Sequence, residues 1–346
     1  MPNAVRHFQP KMFGLAAFGA AVVLLALVTP GTEAHKAVTS PYNFNDHVFP
    51  ILRDRCSRCH FPDGPAPMSL LTYNEALPWA ESMREQLVGE RMPPWYADPL
   101  GPVVKGGHSL TPRELDILVT WATGGTPQGD LDKKPAPVPT HPQWRSGAPD
   151  LTIKMDAAHT VPIGTMEENC EFTLPTGLAE TKWVKAVDLV PGVTSMVRDA
   201  VVMIENGPVL AAWVPGHDAI AAPSGAAFKL PAGAKLRLQI HYKKNWQDEQ
   251  NAKTDRTTIG LYFTDEPISG RSIEALTVDA QAAGAQGESA EPRKLSKSLT
   301  SASRVLALRP NVDQPYASVD VEAVLPTGRH IPLLLMRAPR PEWPRR

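Results

Sequence analysis

Residues 44–60, FNDHVFPILRDRCSRCH, contain the segment that decides the fold of the first part of this 346-residue chain. Apolar side chains recur there every three or four positions, which is the spacing of one face of a helix. They are Phe44, Val48, Ile51 and Leu52. The pattern predicts a helix from about residue 44 to 58 that leads directly into a pair of cysteines followed by a histidine.

The segment Cys56-Ser57-Arg58-Cys59-His60 is the strongest chemical signal in the chain. Two thiols at this spacing bond covalently to the vinyl groups of a haem, and the adjacent histidine binds its iron. The alternatives are half of a zinc site and a redox-active cysteine pair. A zinc site needs four ligands, and the chain has three cysteines in all. We therefore predict one haem c, held by Cys56 and Cys59, with His60 as the proximal iron ligand.

The sixth iron ligand has to come from a later residue. Methionine in that position raises the reduction potential, which suits an electron carrier. Met92 lies in a proline-rich loop between two predicted helices, and we predict it as the distal ligand. Met68, His108 and an open sixth position are the alternatives, whereas Met83 falls within a helix and is expected in the core.

Two further helices complete a small helical domain that we place at residues 43–130. One is predicted over residues 72–88. The other begins at Ser109-Leu110-Thr111-Pro112-Arg113-Glu114, where Thr111 is the N-cap, Pro112 occupies the first helical position and Glu114 closes a capping box. Gly124-Gly125 is expected to end that helix.

Residues 1–34 are typical of a signal peptide. A basic start precedes an apolar run over residues 12–28, and the segment ends in Thr32-Glu33-Ala34, which suits signal peptidase. We expect cleavage and a periplasmic or otherwise exported protein. The run is about 17 residues long, close to the minimum for crossing a bilayer, so without cleavage it would tether the protein to the membrane.

The composition limits the remaining architecture. With 35 basic and 36 acidic residues the net charge is −1, so the basic surface of a nucleic-acid-binding protein is not expected. The 36 prolines argue against a large helical bundle. We therefore predict a multidomain protein with separate α and all-β parts, in which a proline-rich linker at 131–150 precedes a jelly roll or β-sandwich.

The β part is predicted from short β-branched or alternating runs bounded by Pro, Gly, Asn and Asp. The runs cover residues 183–190, 197–205, 209–214, 235–242, 257–263, 303–309, 316–325 and 331–336. Residues 279–303 have the composition of a flexible insertion.

Three segments of the first part resemble the c-type cytochrome domain of exported bacterial proteins. They are CSRCHFPDGPAPMSLLTYNEALPW (56–79), GERMPPWYADP (89–99) and SLTPRELDILVTWATGGTPQGD (109–130). The resemblance implies a small helical cytochrome c domain with Met92 as its distal ligand.

The β part resembles the copper type II, ascorbate-dependent monooxygenases, the peptidylglycine and dopamine hydroxylating enzymes. The segments are ETKWVKAVDLVPG (180–192), LAAWVPG (210–216), LPAGAKLRLQIHYKKN (230–245) and TDRTTIGLYF (254–263). The resemblance implies a first jelly roll over residues 151–268 and a partial second β region over 269–346.

The resemblance also implies that the copper ligands have been lost. One copper of that family is held by two adjacent histidines and by the histidine of a His-Tyr pair. His241-Tyr242 retains the last of these, but the adjacent pair falls on Val197-Arg198-Asp199, and arginine cannot bind a metal. The second copper needs a His-x-His pair, and His330 is the only histidine from residue 270 onward. We expect no copper and no monooxygenase activity, with His241 as a residual ligand at most.

The sequence thus predicts an exported mono-haem electron-transfer protein whose β-sandwich docks a redox partner protein. One alternative is a haem–copper oxidoreductase with copper at His241 and His217, and another is a haem-based sensor. Arg198 and Asp199 are interpreted as an ion pair or solvated face at a strand edge. Cys170 is predicted to be a buried apolar thiol, with an intermolecular disulfide as the alternative.

Overall fold

In a computed structural model the chain is described over residues 39–93, 101–103, 109–138, 144, 146–216, 219, 221–265, 271–278, 294–308 and 317–337. The protein is mostly β-sheet with a few short helices. The expected signal peptide at 1–34 lies outside the described residues. Within the described ranges no helix has the length and apolar character needed to cross a membrane.

The first helix, α1, runs over residues 44–56. Asn43 caps it by accepting a hydrogen bond from the backbone of Asp46 at 2.8 Å. Its central turn, Phe49–Ile51, is α-helical, and the flanking turns, Phe44–Val48 and Leu52–Cys56, have wider π-helical bonding. The predicted helix is confirmed, although it ends at the first cysteine, two residues earlier than expected.

The second helix, α2, comprises Tyr73–Ala76, a tighter turn at Leu77–Trp79 and Ala80–Val88. The third, α3, is Pro112–Thr123, with the capping box of Thr111 and Glu114 and the end at Gly124 as predicted. The three helices bury one apolar cluster. Its largest members are Phe44, Leu52, Leu87, Leu118 and Trp121.

All described strands follow α1, α2 and α3, and they form two large and two small sheets. The strands are β1 (Leu151–Lys154), β2 (His159–Val161), β3 (Glu167–Pro175), β4 (Lys182–Val190), β5 (Val197–Ile204), β6 (Val209–Trp213), β7 (Ala226–Leu230), β8 (Lys235–Lys243), β9 (Lys253–Asp255), β10 (Thr258–Phe263), β11 (Arg271–Ser272), β12 (Ser318–Val324) and β13 (His330–Arg337).

The two large sheets enclose a single hydrophobic core, as in a β-sandwich. One sheet has the order β1-β10-β4-β7-β11 and the other β3-β8-β5-β6. Residues from both sheets, such as Leu189 and Leu261 from one and Leu238 and Ile240 from the other, belong to the same buried cluster. Strands β2 and β9 pair beside them, and β12 with β13 forms a separate antiparallel hairpin.

Most predicted runs coincide with strands, and one does not. Residues 303–308 of the run at 303–309 are in no strand, and Val305 and Leu306 are 48% and 44% exposed. An apolar run becomes a strand only where a neighbouring strand takes up its backbone hydrogen bonds. In contrast, Met336 is buried within β13, as a strand-core residue should be.

A buried carboxylate links β9 to the sandwich. Asp255 is fully buried and accepts hydrogen bonds from Tyr242 Oη (3.0 Å), from Val193 N (3.0 Å) and from the backbone and hydroxyl of Thr257 (3.1 and 2.6 Å). Burial and this carboxylate raise the pKa of Tyr242, so its hydroxyl remains a donor. The network satisfies an otherwise costly buried charge.

We predict that Asp255→Ala lowers the free energy of unfolding by about 3 kcal/mol, because several buried donors lose their acceptor together. Denaturant unfolding measures this change. Asp156→Ala is the matched control, since Asp156 is an exposed aspartate in the turn after β1 and should change the free energy by less than about 0.5 kcal/mol. Equal effects of the two substitutions would contradict the role assigned to Asp255.

Candidate functional site

The end of α1 places the two cysteines and the histidine on one turn. The backbone N–H groups of Cys59 and His60 both donate to Cys56 O, at 3.1 and 2.9 Å. Cys56 and Cys59 are half-buried, and among the described residues, which include every cysteine of the chain, there is no disulfide bond. The two thiols are therefore held near each other and remain as separate sulfur atoms.

The imidazole of His60 is fixed by the loop that follows it. Its Nδ1 lies 3.2 Å from the carbonyl oxygen of Met68 and donates a hydrogen bond to it. Two further backbone bonds, Ala66 N to Cys59 O and Leu70 N to His60 O (both 3.2 Å), fold residues 61–70 back onto the motif. A ring held through Nδ1 directs Nε2 the other way, which is the usual arrangement of a metal-binding histidine.

The pKa of Cys56 also differs from that of a reactive cysteine. Burial is the main cause that raises the pKa of Cys56 to about 12, whereas reactive cysteines have lowered pKa values. Burial also lowers the pKa of His60, so its imidazole is neutral and has a lone pair to offer. These residues match the needs of a covalently attached haem: two thiols on one turn and a neutral, oriented imidazole.

The candidate distal ligands occupy different positions. Met92 follows α2, is half-buried, and its backbone N–H lies 3.3 Å from Gln86 O. Met68 accepts the His60 Nδ1 bond through its carbonyl, so its backbone lies on the side of the imidazole remote from Nε2. His108 lies outside the described residues.

The β-sandwich contacts the cysteine turn directly. Arg58 Nη1 donates to Gly216 O at 2.7 Å, and Cys59 Sγ lies 3.9 Å from Pro215 O. Gly216 has a positive φ of 78°, and a Cβ there would lie 2.3 Å from the Cβ of Arg58. Glycine is therefore required at this position by both backbone conformation and space.

A β-bulge directs Arg198 toward the loop at residues 61–70, which follows the cysteine turn. Val197 pairs with Tyr242 and Asp199 pairs with His241, so Arg198 is the extra residue of β5. Its guanidinium is buried and donates to Pro65 O, to Ser195 O (3.3 Å) and to Asn245 Oδ1 (2.7 Å). The expectation of a solvated or ion-paired Arg198 is wrong, because the bulge turns this side chain inward, away from Asp199.

His241 is surrounded by carboxylates. Its Nδ1 lies 2.8 Å from Asp199 Oδ2, and its Nε2 lies 2.7 Å from Glu167 Oε1. The hydrogen bond to Asp199 is the largest cause of a raised pKa for His241. A protonated imidazole donates through both nitrogens and has no lone pair for a metal. His217, the other candidate copper ligand, lies outside the described residues.

A third cluster was missed by the sequence reasoning. His159 Nε2 lies 2.7 Å from Glu168 Oε1 and 3.4 Å from Cys170 Sγ. Cys170 is half-buried and packs against the sandwich core, but its sulfur faces a histidine, so it is not a purely apolar thiol. The available signal was the alternation of polar and apolar residues over 167–175, which would have revealed β3 and placed Glu168 and Cys170 on one face.

A scan against models of known protein families finds no match for this chain, and a search of curated proteins finds no similar sequence.

The raised pKa of His241 generates a pH prediction. A histidine whose pKa is higher in the folded than in the unfolded state stabilises the fold while it is protonated. This stabilisation is complete below the unfolded-state pKa of about 6.5, and it is lost as the pH rises through the folded-state pKa. We therefore expect the difference in unfolding free energy between wild type and His241→Gln to shrink as the pH rises above about 6.5. Denaturant unfolding across this range measures it.

His330→Gln is the matched control, because His330 also faces a glutamate but is exposed. Its effect should be small at every pH. A His241→Gln effect that grows with pH would contradict the assignment of a carboxylate-stabilised imidazolium.

Proposed function

We propose that the protein is an exported mono-haem c-type cytochrome that transfers single electrons through a covalently bound haem. The observation that carries the proposal is the geometry of residues 56–60: two thiols on one turn, followed by a neutral imidazole whose Nδ1 is bonded to the Met68 carbonyl. This combination leaves Nε2 available and oriented, as an iron ligand requires.

In this proposal haem supplies a one-electron couple between ferric and ferrous iron. Cys56 and Cys59 would hold it through thioether bonds, and His60 Nε2 and the sulfur of Met92 would bind its iron. The apolar cluster of α1, α2 and α3 lies next to Cys56 and shields that side from water. Rigid surroundings suit electron transfer, because little has to move when the charge changes.

We further propose that the helices form a cytochrome c domain and that the sandwich is a jelly roll without copper. Support for the second statement comes from His241, whose two nitrogens both face carboxylates, and from Arg198, which occupies an expected copper-ligand position and is bonded elsewhere. The sandwich then serves to dock a redox partner protein. A haem–copper oxidoreductase would need several imidazole ligands at this position.

The first test replaces the proposed distal ligand. In haem-loaded protein, Met92→Ala should lower the midpoint potential by on the order of 100 mV, since axial ligands control potentials over about 0.8 V. Potentiometry followed by visible absorption measures it. Met68→Ala is the matched control, because it removes a second methionine sulfur and retains the backbone carbonyl that orients His60. An unchanged potential in Met92→Ala, or the large fall in Met68→Ala, would refute Met92 as ligand.

Arg198 provides a second test through electrostatics. A buried cation beside the haem-binding loop disfavours the extra positive charge of ferric iron, so Arg198→Gln should lower the potential by on the order of tens of millivolts. Arg237→Gln is the control, since Arg237 belongs to the same sandwich but forms an exposed pair with Glu171. A potential that rises or stays constant in Arg198→Gln would show that this guanidinium does not act on the iron.

A further inference from the structure

Three side chains with different donor atoms meet at one place in the sandwich, remote in sequence from the cysteine turn. They are His159 of β2 and Glu168 and Cys170 of β3, here called the His159 cluster. The nitrogen, oxygen and sulfur atoms that they offer all lie within 4.8 Å of one another. Each of the three residues is half-buried, so the cluster is shaped by the protein and still reachable from solvent.

The fold explains why these side chains converge. Glu168 and Cys170 are two residues apart on β3 and therefore point to the same face of the strand. His159 comes from the short pair of β2 with β9, and its ring stacks on Tyr242 at 5.2 Å and meets Phe172 edge-on at 5.6 Å. The two aromatic contacts orient the imidazole and direct Nε2 at the other two residues.

The geometry differs from that of a catalytic Cys-His-acid relay. In such a relay the acid binds one ring nitrogen and the nucleophile binds the other. Here Glu168 Oε1 and Cys170 Sγ both face Nε2, at 2.7 and 3.4 Å. A single N–H on Nε2 can be shared between the two partners only as a three-centre hydrogen bond, whereas a cation placed between the three atoms would bind all of them directly.

The distances are close to those of a tetrahedral metal site. With zinc bonds of about 2.3 Å to sulfur and about 2.0–2.2 Å to nitrogen and oxygen, the nitrogen would lie about 3.6 Å from the sulfur and about 3.4 Å from the oxygen. The observed separations are 3.4 and 2.7 Å. The nitrogen–sulfur separation is thus within about 0.2 Å of the expected value, and the nitrogen–oxygen separation is about 0.7 Å too short. The flexible Glu168 side chain has to move away from His159 by that amount for a metal ion to enter.

We propose that His159 Nε2, Glu168 Oε1 and Cys170 Sγ bind a borderline-soft divalent metal ion of the zinc type, with a fourth position open to water. Imidazole, thiolate and carboxylate together select such an ion over calcium or magnesium, which prefer oxygen ligands alone. On binding, the thiol of Cys170 releases its proton to solvent and the new bond forms between sulfur and metal. The site is independent of haem attachment.

The experiment uses full-length, haem-loaded protein, in which Cys56 and Cys59 are tied to haem and Cys170 is the remaining thiol of the three. If haem does not attach, the same titration is made in a Cys56→Ser, Cys59→Ser background, so that failure of the haem proposal is distinguished from failure of this one. Co²⁺ is the probe, because a thiolate ligand produces a near-ultraviolet charge-transfer band. We expect one Co²⁺ per chain with this band, displaced by Zn²⁺.

Substitutions assign the signal to the cluster. Cys170→Ser should abolish the charge-transfer band, and His159→Gln should weaken binding at least about tenfold, as expected for loss of a ligand. Glu171→Gln is the matched control, since Glu171 neighbours Cys170 on the opposite, exposed face of β3. His241→Gln tests the other histidine flanked by carboxylates. Both controls should bind as wild type does, and binding that survives Cys170→Ser and His159→Gln would refute the site.

A second measurement needs no substitution. Alkylation of Cys170 in the wild-type protein should proceed without metal and slow at least about tenfold when Zn²⁺ is added, because the sulfur is then coordinated. An unchanged rate would overturn the proposal. A thiol that is unreactive without metal, and is released only by a reductant, would indicate the intermolecular disulfide and would also overturn it.

Discussion

A buried guanidinium is the constraint on which the contact between the two parts of this protein depends. Arg198 is 8% exposed, and a charge in that position is tolerated only if its donors are satisfied. Both parts of the protein supply acceptors for these donors: Asn245 and Ser195 in the sandwich, and Pro65 in the loop after the cysteine turn. Moving the loop away would leave a buried cation without one of its acceptors.

The bulge that directs Arg198 inward also defines the surroundings of His241. Because β5 contains one extra residue, Asp199 lies opposite His241 and bonds its Nδ1, while Glu167 of β3 bonds its Nε2. The same strand thus supplies a hydrogen-bonded charge network around His241 and, through Arg198, a contact to the loop after the cysteine turn.

The features that the sequence predicted are local, and those that it missed depend on distant pairings. The cap at Thr111, the helix before Cys56 and the seven strands that coincide with predicted runs follow from neighbouring residues. The bulge at Arg198 arises from the register between β5 and β8, which no local pattern specifies. The His159 cluster requires β2 and β3 to meet, and residues 303–308 show that an apolar run without a partner strand forms none.

The central claim is that Cys56 and Cys59 hold a haem covalently, and the most direct test is the haem content of denatured chain. The protein is produced from its full gene together with the haem-maturation machinery, unfolded, and extracted with acidified organic solvent. We predict one haem iron per chain that stays with the polypeptide, and none in Cys56→Ala, Cys59→Ala protein. Haem that passes into the solvent, or a chain that holds zinc at these thiols and no haem, would contradict it.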